Sequence, residues 1–286
     1  MVQALMDAIK KNTRLKNFPD NTAYSSLSVD RILNISKSFG SSGRDIEIMA
    51  LEHGVVPERY ARNMKTFTPR EQTALLKSRV SVVGLGGLGG AVTEILARAG
   101  IGSLNLIDGD RFEDSNLNRQ FLSTCDLINT PKAQAAVRRV KTINPSIQVD
   151  THSQFLDKKN AAQLLANSNV TVDCLDNVKT RFILENTCRQ IDTPLVSAAV
   201  AGAAGHITTI FPEDRGLQLI YGDPDNAPAK GAEASLGTVP YSVTLLAALQ
   251  CAEVIKIIQN KGSLLRNKLL VVDLTEGIFE IITLAQ

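Results

Sequence analysis

The sequence predicts an α/β protein: a Rossmann-like doubly wound sheet, mainly parallel with an antiparallel second half, carrying a small helical N-terminal appendage. Three observations predict it. From Arg79 onward, short β-branched runs alternate with segments of helical period, the pattern of successive βαβ units. The first of these runs leads straight into a glycine-rich loop and an amphipathic helix, the strand–loop–helix order of a nucleotide-binding unit. The length, 286 residues, suffices for one large α/β domain plus a small addition.

Taken in order, residues 1–58 are polar, with short periodic pieces at 29–36 and 44–53 separated by Asn-, Ser- and Gly-rich turns. They read as a helical N-terminal extension. The main domain is expected over 59–286, with strands at 80–83, 103–107, 147–152, 170–175 and 195–198. Between them Leu88, Val92, Ile95, Leu96 and Ala99 share one helical face, as do Ala133, Ala136, Val137, Val140 and Ile143. Later strands are expected at 205–211, 268–272 and 278–284, with a long helix over 242–259. Nothing requires this second half to be parallel.

Two uncharged stretches, 193–212 and 234–252, have the length of a membrane span. Gly, Ser, Thr or Pro interrupts both, and the first alternates like a strand, so they read as buried elements of the sheet and no membrane association is expected. The N-terminal residues lack the apolar core and cleavage site of a secretory signal. A net charge of +2, from 31 basic and 29 acidic residues, gives no bulk electrostatic reason to expect nucleic acid as a partner. Cys125, Cys174, Cys188 and Cys251 are scattered and form no CxxC pair. Neither a disulfide framework nor a zinc ribbon is suggested, and reduced thiols in a cytoplasmic protein are expected. No internal repeat or low-complexity tract is present.

The loop Gly84-Leu85-Gly86-Gly87-Leu88-Gly89-Gly90 comes directly after the first strand of the main domain. Gly84, Gly86, Gly87 and Gly89 allow a tight turn and let phosphate approach bare N–H groups at a helix N-terminus. Asp108, at the end of the second strand, is placed to bind ribose hydroxyls. These features alone suit NAD, and an NAD-dependent oxidoreductase is the rival reading. The residues beyond Asp108 separate the two, because nucleotidyl transfer must neutralise a triphosphate.

Residues 108–121 are too polar to be buried and read as a loop at the ligand-binding edge of the sheet. Arg119 offers a planar fork of donors for phosphate oxygens. Thr130-Pro131-Lys132 reads as an N-cap, a first-turn proline and a lysine at the mouth of a helix, where a cation opposes the helix dipole unless an anion lies between them. The fourth strand ends in Asp173-Cys174-Leu175-Asp176-Asn177. Asp173 alternates with apolar positions, which suits solvent or a neighbouring loop. Asp176, past the strand end, is placed to hold Mg²⁺ against a triphosphate or to cap the helix starting near Val178.

The strings GLGGLGG, GIGSLNLIDGDRFEDSNLNRQFL, TPKAQAA, INPSI, DCLDN and PLVSAAVAGAAGHIT, in this order, resemble the adenylation domain of the ThiF/MoeB/HesA family, relatives of the ubiquitin-activating enzymes. The resemblance runs from about Arg59 to the C-terminus. It implies that Gly87 and Asp108 contact ATP with Asp110, Ser115, Asn116, Gln120, Leu175 and Asn177 nearby, that Arg119 and Lys132 bind phosphates, and that Asp176 coordinates Mg²⁺. Arg59-Tyr60-Ala61-Arg62-Asn63 is similar to a family element whose second arginine reaches the partner subunit's ATP; that role would fall to Arg62 in a homodimer. The implied reaction is adenylation of the GlyGly C-terminus of a small ubiquitin-like carrier protein, in a molybdopterin, thiamine or related pathway. A peptide, small-molecule or tRNA-borne carboxylate is the alternative substrate, and a non-catalytic member a further one.

Two family features are missing. The paired CxxC cysteines of zinc-binding members are replaced near 218–224 and at the C-terminus, so no structural zinc is expected. The loop 226–237 holds Lys230, Glu233 and Ser235 but no acyl-accepting thiol, which implies a separate sulfur donor. Cys251, among Leu249, Ala252 and Ile255, reads as core.

Overall fold

The computed structural model describes residues 2–226 and 233–284. Part of the loop 226–237, and the last two residues considered for zinc, lie outside them. The appendage comprises α1 (Val2–Lys11), β1 (Arg14–Asn17), β2 (Ala23–Leu27), α2 (Val29–Phe39), α3 (Gly43–Glu52) and β3 (Val55–Pro57). The expected helices are present, and a three-stranded sheet in the order β1-β2-β3 accompanies them. These strands are three to five residues long, too short for a period-two signal to stand out. Leu5, Ile9, Leu27, Ile32, Ile46 and Ala50 give the appendage a core of its own.

The main domain runs α4 (Pro69–Lys77), β4 (Arg79–Val83), α5 (Gly87–Ala99), β5 (Ser103–Ile107), α6 (Lys132–Ile143), β6 (Gln148–His152), α7 (Ala161–Leu165), β7 (Val170–Asp173) and α8 (Val178–Gln190). It continues with β8 (Leu195–Ala201), β9 (Ala204–Ile210), α9 (Gln218–Tyr221), α10 (Glu233–Leu236), α11 (Pro240–Gln259), β10 (Lys268–Asp273) and β11 (Ile278–Thr283). The eight strands are ordered β11-β10-β9-β8-β7-β4-β5-β6. β6, β5, β4, β7 and β8 are parallel; β8 to β11 pair antiparallel. β4 and β5 are buried along nearly their whole length, as strands covered on both faces must be.

One face packs against α5, α6 and α11 through Leu96, Val140, Leu246 and Val254. The other packs against α7 and α8 through Leu164, Leu165, Phe182 and Leu184. The chain reverses direction between β4 and β7, the switch point where open α/β sheets leave a crevice beyond the carboxyl ends of the strands. α11 is long and apolar enough to cross a membrane by length and composition, yet it packs on α5 and the sheet with Cys251 in the core. The other uncharged stretch forms the β8–β9 pair.

Three local expectations are corrected. β7 ends at Asp173, not at residue 175. Asp173 is fully buried rather than facing solvent, because Arg181 from α8 lies under the strand end and pairs with it at 3.0 Å. Helix α6 begins at Lys132 with Pro131 at the N-cap position and no side-chain cap, so Thr130 does not cap it. An isolated bridge between Arg111 and Pro131 holds that approach extended.

Candidate nucleotide-binding site

A cavity of about 440 Å³ opens at the switch point. The glycine loop forms its floor. Gly84 has φ +87°, and an added Cβ would lie 2.6 Å from the Cys174 carbonyl oxygen; a Cβ on Gly89 would lie 1.7 Å from the Gly84 oxygen. These two glycines are therefore required by the close packing of the α5 N-terminus on the strands. Gly86 and Gly87 line the cavity itself. Gly86 stands at the N-cap of α5 and offers no side-chain cap, so the first N–H groups of a 13-residue helix are left to an anion.

Asp108 holds the loop from the β5 side. Its carboxylate accepts from the Leu85 N–H at 2.6 Å and from the Asp110 N–H at 2.7 Å. Burial pushes its pKa above the ordinary range, with the two N–H donors and Lys132 opposing. Lys132 is buried, and its ammonium lies 3.2 Å from Asp110 Oδ2 while its own N–H donates to the Asp110 carbonyl. Arg119 is steadied by the Ser115 carbonyl at 3.0 Å and by Asn118 Oδ1 at 2.8 Å. Gln120 is 6% exposed, and its Oε1 has no partner among the described residues although it lines the cavity.

On the facing side, Asn177 rather than Asp176 caps α8, accepting from the Thr180 N–H at 3.0 Å. The exposed Asp176 carboxylate lines the cavity and has no hydrogen-bond or ion-pair partner among the described residues. No cluster of three His, Cys, Asp or Glu side chains occurs among those residues. A single free carboxylate is nonetheless the usual protein share of a Mg²⁺ held mainly by phosphate and water, so the residues present fit that ion. The uncapped helix and the buried lysine fit a nucleotide phosphate chain, and the orphaned Gln120 oxygen, an acceptor, suits a hydroxyl or amino donor of the nucleotide.

The cavity thus gathers Gly84, Gly86, Gly87, Asp108, Asp110, Arg119, Gln120, Lys132, Leu175, Asp176 and Asn177. Ser115 and Asn116 do not line it. Asn116 is engaged in its own 3₁₀ turn, where its Oδ1 accepts from the Glu113 N–H at 3.2 Å. Gly89 lies behind the wall, and Arg62 is exposed elsewhere. Sequence reasoning missed Phe155, Thr180, Arg181 and Thr238, which also line the cavity. For Phe155 the available signal was its place just after the third parallel strand, at the ligand edge; it stands 67% exposed over Gly109.

Beyond Asp176 lies a second, more apolar cavity of about 330 Å³. Asp176, Arg181 and Val200 are shared with the first; Val178, small residues of β8 and β9, His206, Tyr221, Leu236 and Val271 form the rest. Burial lowers the His206 pKa to about 4, with the Arg181 charge adding, so this imidazole is neutral near pH 7. The Tyr221 hydroxyl lies 3.3 Å from its Nε2.

Comparison with known proteins shows the family and the fold. The ThiF family model matches residues 60–286. The SAMP-activating enzyme E1 of Haloferax volcanii is 35% identical over 228 residues, covering 78% of this chain and 83% of that protein. The adenylyltransferase and sulfurtransferase MOCS3 of Arabidopsis thaliana is 32% identical over 230 residues; the alignment covers 78% of this chain and spans about half, 49%, of that relative. Among solved structures, E. coli MccB with ATP superposes with a TM-score of 0.70 at 23% identity, covering 80% of this chain and 72% of that one; at that identity it speaks for the fold.

Proposed function

We infer that this chain, which belongs to the ThiF family and is a nucleotidyltransferase of the sulfur-carrier adenylyltransferase type, activates the C-terminal carboxylate of a small ubiquitin-like carrier protein. The observation that carries the reading is Asp176, a partnerless carboxylate standing between a cavity that holds Lys132 and Arg119 and a more apolar one. The first cavity takes ATP, with phosphates on the α5 N-terminus, Lys132 and Arg119. The second takes a carboxylate arriving on a slender chain: Ala199, Ala201, Ala204 and Gly205 line its walls. A GlyGly terminus suits walls built of such small residues. Val271 connects this cavity to the β10–β11 hairpin, where Ile278, Phe279, Ile281 and Ile282 are exposed; an apolar face of this kind suits the body of the carrier.

In the reaction a carboxylate oxygen attacks the α-phosphorus, the bond from that phosphorus to the bridging oxygen of the β-phosphate breaks, and pyrophosphate leaves with the electron pair. The acyl-adenylate remains. The nucleophile is ionised near neutral pH and needs no base; the barrier lies in bringing an anion to a polyanion. Lys132, Arg119 and the helix N–H groups supply preorganised positive charge. A Mg²⁺ on Asp176 would supply charge neutralisation at the phosphates. Arg62 of a homodimeric partner adds a further cation in trans. With no thiol in the loop 226–237, transfer of the acyl group proceeds to a separate sulfur donor.

ATP–pyrophosphate exchange in the presence of GlyGly-ending carriers tests the reading. Carrier-dependent exchange that disappears when the two glycines are removed is expected. Exchange absent with every carrier but present with a peptide, small-molecule or tRNA-borne carboxylate would transfer the assignment to that substrate.

A further inference from the structure

The segment carrying Arg62 is held from outside and from behind by residues of the appendage. Four residues before Arg62, Glu58 accepts from Lys16 Nζ at 2.9 Å, from the Tyr24 hydroxyl at 3.1 Å, and from Ser26 Oγ. Three residues after it, Lys65 donates to Asp20 Oδ2 at 2.5 Å and Thr22 Oγ1 at 3.1 Å. Its ammonium also lies 4.8 Å over the Phe18 ring, which stacks on Tyr24. Every one of these partners belongs to β1, β2 or the turn between them. Burial raises the Tyr24 hydroxyl above its ordinary pKa with Glu58 adding, while the Lys16 and Arg62 charges oppose.

Behind the segment stands Glu47 of α3, with no exposed surface. It pairs with Arg59 at 3.2 Å and accepts from the Tyr60 hydroxyl at 3.1 Å and from Ser146 Oγ at 2.8 Å. Asn144, at the end of α6, donates to the same Tyr60 oxygen at 2.9 Å, and Arg59 donates to the Ile143 carbonyl at 3.2 Å. The buried end is thereby fixed to the main domain.

Stability does not account for the outer latches. Lys16, Asp20 and Lys65 keep about half their side chains in solvent, at 46%, 50% and 50%, where ion pairs add little to folding. The appendage also has a hydrophobic core of its own, to which these residues do not belong. What such pairs do provide is direction. We propose that the β1–β2 hairpin, working against the fixed Glu47–Tyr60–Asn144 cluster, is a positioning device that sets the angle at which Arg62 reaches the nucleotide of the partner subunit.

This rests on the reading of Arg62 above, and calorimetric titration of the full-length dimer with Mg-ATP separates the two. Arg62→Ala is expected to weaken Mg-ATP binding about tenfold, the loss of one charge-assisted contact. The double variant Lys16→Ala/Asp20→Ala is expected to weaken it at least about threefold with an unchanged thermal midpoint. Combining all three changes adds nothing to Arg62→Ala, and Lys16→Arg/Asp20→Glu restores binding. If Arg62→Ala binds normally, the trans arginine falls and this inference with it. If Arg62→Ala is weak but the hairpin variant binds like wild type, or if the two losses add, the inference alone is overturned.

Discussion

Two loops face each other across the nucleotide cavity, and they use their polar groups in opposite ways. The loop after β5 is closed on itself: Asp108 holds Leu85 and Asp110, Asn116 caps its own turn, and Lys132 leans on Asp110. The loop after β7 is open: Asp173 is saturated by Arg181, by Ser197 Oγ at 2.6 Å and by the Leu175 N–H at 3.0 Å, while Asp176 stands free. Two carboxylates three positions apart thus divide the work. Asp173 fixes the loop that presents Asp176.

The sharpest way to break this division is to remove each acid in turn. Asp176→Ala is expected to lower the exchange rate about 10³-fold or more while leaving the denaturation midpoint at the wild-type value. Asp173→Ala strands the buried Arg181 charge and is expected to lose about 3–5 kcal/mol of stability in urea titrations. The division fails if the exposed acid carries the stability and the buried one does not. On the other side, Lys132→Ala is expected to cost about 10²-fold in kcat/KM for ATP, measured in the same exchange assay. Asp108→Asn turns an amide donor toward one of two N–H groups, a loss of about 2–3 kcal/mol, seen in chemical denaturation together with a raised KM for ATP.

The smallest effect sharpens the contrast by locating an acid that serves neither loop. Burial raises the Glu185 pKa from 4.5 to about 7, with the Leu217 N–H and Arg189 opposing. The folded state then holds a proton that the unfolded state has released, so stability falls as pH rises from about 4.5 to about 7 and is level above. Glu185→Gln is expected to flatten that slope and to gain roughly 2 kcal/mol at pH 8, read from midpoints across a pH series.

Much of this was legible because it depends on local chemistry. The strand, glycine loop and helix around Gly84–Gly89 form where β-branched and glycine residues demand them, and Arg119, Lys132 and Asp176 converge because three strand ends meet at the switch point. The parts that were not legible depend on partners distant in sequence. Asp173 reads as an exposed alternating residue until Arg181 is placed beneath it. Ser115 and Asn116 lie outside the cavity lining because they belong to a 3₁₀ turn in which Asn116 accepts from the Glu113 N–H. The hairpin β1–β2 has only four and five residues per strand, and its contacts with Glu58 and Lys65 span more than thirty positions.

The central claim, a Mg-ATP site completed by a free Asp176, is tested most directly by calorimetric titration of wild-type protein and Asp176→Ala with Mg-ATP, metal-free ATP and NAD. The wild type is expected to bind ATP more tightly with Mg²⁺ than without, Asp176→Ala to abolish this difference, and NAD not to compete. Selective binding of NAD, or a Mg²⁺ effect that survives in Asp176→Ala, would contradict it.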